Sequence, residues 1–390
     1  MLPSRTNAPR FWLLCIGFVV CGVVTVLPGP LLPLLAARWG LPDVQSGGFF
    51  AAEFAASTVG AIFSPWRLNR SLPSGFALLC AGVLLLAFAA TGASAATGHA
   101  LALTAFALIG FGTGLSVTAT NLTAGADSSG RGRRLSTVNL WWGIGAVACP
   151  WVIAWAERSH HMRPLLLVVA LAAAAVFAAL APLLRVPSQR SPRAQTAQSS
   201  QLGTLVFFGL FLFIYVGVEN AVGGWIATYA HRFSGFTLAA ASLTVSVYWM
   251  ALLAGRGITS LLLRVLPERA ILLPGMALAL AAVAAFVEPH APSTVILAVA
   301  AAGLGFAPVF PLGVSRMLSR VSDHRHTGWV FAMCAAGGAV LPWLTGLVST
   351  ASASLRLGFA VPVAALAAIL LLALAENAVL PKPAPVAASQ

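Results

Sequence analysis

Charge is what this sequence has least of. Charged residues make up 8% of its 390 positions, with nine acids and a single lysine, Lys382. A soluble domain carries about 25% charged residues. So few charges cannot cover a water-facing surface, so most of the surface must face something apolar, and lipid is the candidate. The five cysteines, Cys15, Cys21, Cys80, Cys149 and Cys334, all fall inside apolar runs without metal-ligand spacing and read as small buried hydrophobes. There is no GxxxxGK[ST] loop, which excludes ATP-driven transport by this chain. Gly110-x-Gly-x-Gly lies inside an apolar run rather than after a strand, so it is not a dinucleotide loop. The net charge of +13 is spread between apolar runs and near their ends, with no basic stripe interleaved with aromatics, which excludes nucleic-acid binding. His160-His161 and Asp323-His324-Arg325-His326 read as solvated loops, not metal ligands. No cofactor or metal is expected.

What is there is apolar sequence. A helix needs about 20 apolar residues to cross the hydrocarbon core. Such runs lie near 11–37, 44–66, 74–93, 100–125, 135–157 and 164–184, and again near 203–230, 237–262, 270–287, 293–315, 328–349 and 357–378. They are continuously apolar rather than alternating, so a membrane barrel is excluded. The first run is too long for a signal-peptide core and reads as an uncleaved span. The boundary between spans three and four falls in the small polar segment Thr91–His99.

With the N-terminus inside, 17 of the 22 basic residues fall on the cytoplasmic side and five on the other. This places both termini in the cytoplasm, in the inner membrane. The Arg-rich, nearly Lys-free composition points to a bacterium with a GC-rich genome. The expected architecture is all-α integral membrane, twelve transmembrane helices in two six-helix bundles. Residues 1–185 form the first bundle, 186–202 a flexible cytoplasmic linker, 203–380 the second bundle and 381–390 a disordered tail.

The halves repeat at a shift of about 193–195 residues. Gly145-Ala146-Val147 with Pro150-Trp151 matches Gly338-Ala339-Val340 with Pro342-Trp343, and Gly110-Phe111-Gly112 matches Gly303-Leu304-Gly305. Pro28-Gly29 in span one falls opposite Gly223-Gly224 in span seven. Paired helix breaks at matching positions of two halves point to a substrate site at the repeat interface, so Pro28, Gly29, Gly223 and Gly224 are read as gating bends. The glycines of spans four and ten are read as close-packing positions.

On this pattern the chain resembles the major facilitator superfamily, and more narrowly its fucose-permease-like branch. The likeness is carried by Tyr215-Val-Gly-Val-Glu219-Asn-Ala-Val-Gly-Gly-Trp225-Ile-Ala-Thr-Tyr229, by Tyr248-Trp249 with Gly255-Arg256, and by Ala307-Pro308-Val-Phe-Pro311. The resemblance implies sugar:proton symport by alternating access. The chain departs from the family where an acid is usual after span two, with Ser64 standing near its place. It also lacks the branch's acid in span one, and span four offers Asn121 instead.

Only Glu53 and Glu219 sit well inside apolar runs, with no Lys or Arg expected at their depth. A charged carboxylate at mid-bilayer costs at least ~2.5–3.5 kcal/mol, so such residues face a cavity or a partner. A carboxyl that gains and loses a proton between states can couple transport to a proton gradient, and both acids are candidates. Tyr215 lies one turn before Glu219 on the same face, so its hydroxyl is expected to bond the carboxyl. Glu53 lies about 15 Å into span two by helix rise, and its repeat counterpart is Tyr248.

Amide plus aromatic is the usual lining for a polar organic solute. Asn121, Asn139, Trp142, Tyr215, Asn220, Trp225 and Tyr248 are the candidate substrate residues. Trp39, Trp66, Trp225 and Tyr229 lie near span ends, where aromatics form interfacial belts. The chain is therefore read as a monomeric, non-enzymatic secondary transporter in the lipid bilayer. It moves a small polar, sugar-like solute together with protons. A proton-driven drug or metabolite exporter and a non-transporting receptor on the same scaffold are the alternatives.

Overall fold

The computed structural model describes residues 8–92, 94–124, 131–185, 199–288, 291–320 and 327–380. Most of these residues are helical, with no strand among them, as an apolar medium requires when every backbone donor must find its acceptor within its own segment. Span one comprises Ala8–Val26 and Pro28–Trp39. Span two is Asp43–Phe63, three Leu68–Gly92, four Ala95–Ala124, five Arg131–Arg158 and six Met162–Leu180. Span seven is Ser199–Phe233, eight Leu238–Leu262 and nine Glu268–Ala284. Span ten comprises Pro292–Phe306 and Val309–Leu318, eleven is Thr327–Ala351, and twelve comprises Leu355–Gly358 and Ala360–Val379.

Eleven stretches among the described residues are long and apolar enough to cross a membrane, and one, Asp43–Ala90, runs for 48 residues. At the helix rise that is about 70 Å, twice what one crossing needs. It is two spans. Gly110 and Gly114 of span four lie against Glu53 and Ser57, so spans two and four run parallel. Gly75 and Gly82 of span three lie against Gly112 and Ile109, so span three runs the other way. The chain reverses at the 3-10 turn Ser64–Arg67, where Pro65 ends the preceding helix. Twelve crossings return the chain to the face it started from, here the termini face; the other is the far face.

The glycines of spans four and ten are packing positions. A Cβ at Gly110 would strike the Glu53 carbonyl, and one at Gly303 the Tyr248 carbonyl, so span four seats on two and span ten on eight in the same manner. The halves meet along spans two and eleven, five and eight, and one and seven. Span seven's helix begins at Ser199, so the last residues of the expected linker belong to it, while 186–198 and 381–390 lie outside the described residues. Of the expected belt residues, Trp66 is 59% exposed at the reversal, but Trp39, Trp225 and Tyr229 are buried. Trp39 packs over Gly98, and Tyr229 packs between Phe286 and Phe359.

Candidate functional site

A narrow cavity of about 10 Å³ lies where the halves meet. Span one contributes Thr25, Val26 and Gly29, span two Phe50 and Phe54, span seven Asn220, Gly223 and Gly224, and span eight Trp249. The predicted breaks divide unequally. Span one does break at Leu27, because Pro28 has no N–H to continue the ladder, and Leu27 N–H turns back to Val24 at 3.3 Å. Span seven is one unbroken helix through Gly223-Gly224, which corrects the expected bend there. Its glycines serve close approach instead. The Gly223 carbonyl lies against Gly29, and the Phe50 ring lies over Gly224.

Glu219 sits one residue before the cavity-lining Asn220 and is 7% exposed. It has a basic partner, contrary to the reading of the sequence: Arg256 Nη2 lies 3.8 Å from Glu219 Oε1. Arg256 is six residues from the end of span eight. Its side chain, like those of long helical residues generally, leans toward the helix N-terminus, which carries the charge deeper than its Cα. Oε1 accepts no hydrogen bond, and Arg256 Nε is buried and donates none. Two buried tyrosines complete the surround. Tyr248 donates to the Glu219 backbone carbonyl at 3.0 Å. Tyr215 places its hydroxyl within hydrogen-bonding reach of the Glu219 carboxyl, as the sequence suggested, and of Arg256, and lies 3.0 Å from the Phe306 carbonyl. Phe306 ends the first segment of span ten, where a carbonyl has lost its helical partner.

Glu53 is 1% exposed, and neither carboxyl oxygen has a hydrogen-bond partner. It lies inside the N-terminal bundle near the buried Cys149, with its backbone against Gly110. Phe50, about a turn earlier, and Phe54, the next residue, reach the cavity; Glu53 is not among its lining residues.

The other candidates scatter. Asn220 lines the cavity and donates to the Val216 carbonyl at 2.8 Å. Trp142 packs edge-on against Trp249 across the two halves, centroids 5.6 Å apart. Asn139 donates to Asn121 at 3.4 Å and to the Leu135 carbonyl at 2.8 Å, so this amide pair ties span five to span four, away from the cavity lining. Trp225 is fully buried and donates from Nε1 to the Pro342 carbonyl at 2.9 Å, joining spans seven and eleven rather than facing a solute.

Sequence reasoning missed the far-face contact. Arg232, at the end of span seven, grips Asp43, at the start of span two, with two hydrogen bonds of 2.8 and 2.7 Å. Ser349 of span eleven donates to the same carboxylate at 2.5 Å, and Val44 N–H donates to Thr350 at 2.8 Å. A vestibule of about 420 Å³ lies over this clasp. The available signal was the scarcity of charge on that side, where Arg232 is the one basic residue between spans seven and eight. On the termini face Ser64, standing where an acid is usual, donates to the Leu115 carbonyl at 2.8 Å and accepts nothing charged. Its bond pins the reversal to span four with neutral groups.

Residues 14–327 match the family model of the Major Facilitator Superfamily. No curated protein matches the chain. Among solved structures, the E. coli fucose:proton symporter is similar at 18% identity and a TM-score of 0.62, covering 95% of this chain and 98% of that one. A D-xylose-proton symporter is similar at 15% identity and a TM-score of 0.76, covering 95% and 97%. A bacterial homologue of the human lysosomal transporter Spinster, in an inward-facing and occupied conformation, is similar at 12% identity and a TM-score of 0.74, covering 97% and 98%.

Proposed function

From the premise that this chain belongs to the Major Facilitator Superfamily, and so is a multi-pass membrane transporter rather than an enzyme, we infer that it moves a small polar organic solute together with protons by alternating access. The observation that carries this reading is the placement of Glu219. It is a carboxyl beside a cavity between two bundles, with one basic partner held at 3.8 Å. A proton on Glu219 weakens its hold on Arg256, and loss of the proton restores it. A change of charge is thereby linked to the contact between spans seven and eight.

The Arg-poor far face is assigned to the outside and the termini face to the cytoplasm. The clasp of Asp43, Arg232 and Ser349 then closes the outer gate, and the cavity, with room for about one water, must widen by movement of the halves before a solute enters. Phe50, Phe54 and Trp249 offer apolar faces, and Asn220 and Thr25 offer hydrogen bonds, a combination suited to a sugar-like solute. The fucose and xylose symporters that share the fold support the same class. One observation favours an exporter of more apolar metabolites instead: three aromatic rings against a single amide.

Purified protein in liposomes with an inward proton gradient tests the proposal. Uphill accumulation of a labelled sugar or sugar acid, abolished by a protonophore, is the expected result. Downhill flux indifferent to the gradient removes proton coupling, and absence of any flux across sugars, acids and drugs points to a receptor.

A further inference from the structure

The Glu219–Arg256 pair is looser than the other ion pairs of buried carboxylates in this molecule. Arg232 meets Asp43 at 2.7 Å, and Arg316 and Arg320 meet Glu376 at 2.7 and 3.0 Å. Arg256 stops at 3.8 Å from Glu219 and leaves its Nε without an acceptor. A guanidinium carries five donors in a planar fork matched to a carboxylate. Its side chain is also 37% exposed, about 9 Å by helix rise from the termini-face end of span eight. It is therefore a partly exposed cation at membrane depth with its Nε donor unused.

We propose that Arg256 binds an anionic group of the transported solute, so that the solute is a polar organic carboxylate, such as a sugar acid, rather than a neutral sugar. This rests on the transport reading above and narrows its substrate. The groups facing Glu219 are Tyr215 on its own span, Arg256 and Tyr248 from span eight, and Cys334 from span eleven. Arg256 is the one cation among them. When Glu219 takes a proton, Arg256 is left without a counter-charge in a medium of low dielectric, which is costly. A solute carboxylate supplies that counter-charge and takes up the unused Nε donor in a charge-assisted fork. The carboxylate replaces Glu219 as the partner, the proton stays on Glu219, and the site's net charge is the same before and after loading. Arg256 is not itself a lining residue of the cavity but lies seven residues, about two helical turns, from Trp249 on the same face of span eight, so the rest of the molecule would extend from it toward Trp249, Phe50, Phe54 and the Asn220 amide.

The test compares gluconate with glucose, and glucuronate with methyl glucoside, on the purified full-length protein by thermal shift and calorimetry, then in liposomes. The carboxylates should bind at least about ten-fold tighter than their neutral partners. Arg256→Gln should lose that preference, while Arg264→Gln, an exposed arginine in the following loop, should keep it. In liposomes, a monocarboxylate entering with one proton moves no net charge, whereas a neutral solute with one proton generates current. If the neutral sugars bind better, if no carboxylate binds, or if Arg256→Gln binds carboxylates as the parent does, the anion site is overturned while proton-coupled transport can still stand. If carboxylates bind through Arg256 but nothing crosses the membrane, the anion site stands and the transport reading falls.

Discussion

Glu53 and Glu219 are the same residue type in comparable apolar spans, yet their surroundings differ in kind. Glu53 lies within one bundle, with no partner for either oxygen and no place in the cavity lining. Glu219 also lies within one bundle and one residue from the cavity lining, but it has Arg256 at 3.8 Å and Tyr248 on its backbone. An intramembrane acid is thus not a working site by virtue of depth alone. It becomes one where a partner stabilises its charged form and a path lets a proton and a solute reach it.

The strongest way to break this contrast is to neutralise each acid in turn. Glu219→Gln should reduce gradient-driven accumulation to simple equilibration, a loss of ten-fold or more on the order of what a charged hydrogen-bonding group contributes, while solute exchange continues. Full accumulation by this variant would transfer the coupling role elsewhere. A second, somewhat smaller effect is expected at the far face. Asp43→Asn keeps the shape but removes the charge that Arg232 and Ser349 hold. A charge-assisted bond contributes about 1.5–3 kcal/mol. Discounted for the exposure of Arg232, this corresponds to a roughly ten-fold rise in far-face opening, read as the labelling rate of a cysteine placed at Leu355 in the vestibule.

Smaller again is Trp249→Ala, which removes one ring of the cavity and its edge contact with Trp142. It should weaken solute affinity by up to about ten-fold, the span of an aromatic contact, with the coupling ratio unchanged in flux assays. The smallest functional effect belongs to Glu53→Met. Accumulation should persist, and thermal stability should rise. The substitution removes a buried carboxyl whose unmade hydrogen bonds cost about 1–3 kcal/mol. A coupling defect in that variant would erase the distinction between the two acids.

Most of the architecture was legible in the sequence because crossing a membrane is a local demand. Each run must be long enough, apolar enough and internally hydrogen-bonded, and each can be counted alone. Even the glycines of spans four and ten declared their packing role through the repeat. The site was legible only in part. Glu219 and Asn220 stood out as polar residues in an apolar run and do flank the cavity, but Asn121 and Asn139, equally conspicuous, bond each other. A side chain's type does not reveal which way its helix faces. Arg256 escaped notice because position along the chain was taken for depth, while a long side chain carries its charge up the helix.

Sequence alone determined twelve crossings, the two-fold internal repeat, the charge asymmetry between the faces and the rarity of acids in the apolar runs. These are set by the composition of each segment against its solvent. Tertiary structure alone decided that Glu219 meets Arg256 and that Asp43 meets Arg232, 189 residues away. It also decided that Gly223 and Gly224 bring two helices together rather than bend one. Those outcomes depend on the rotation of each helix about its axis and on the fit of one bundle against the other, which many distant side chains fix together.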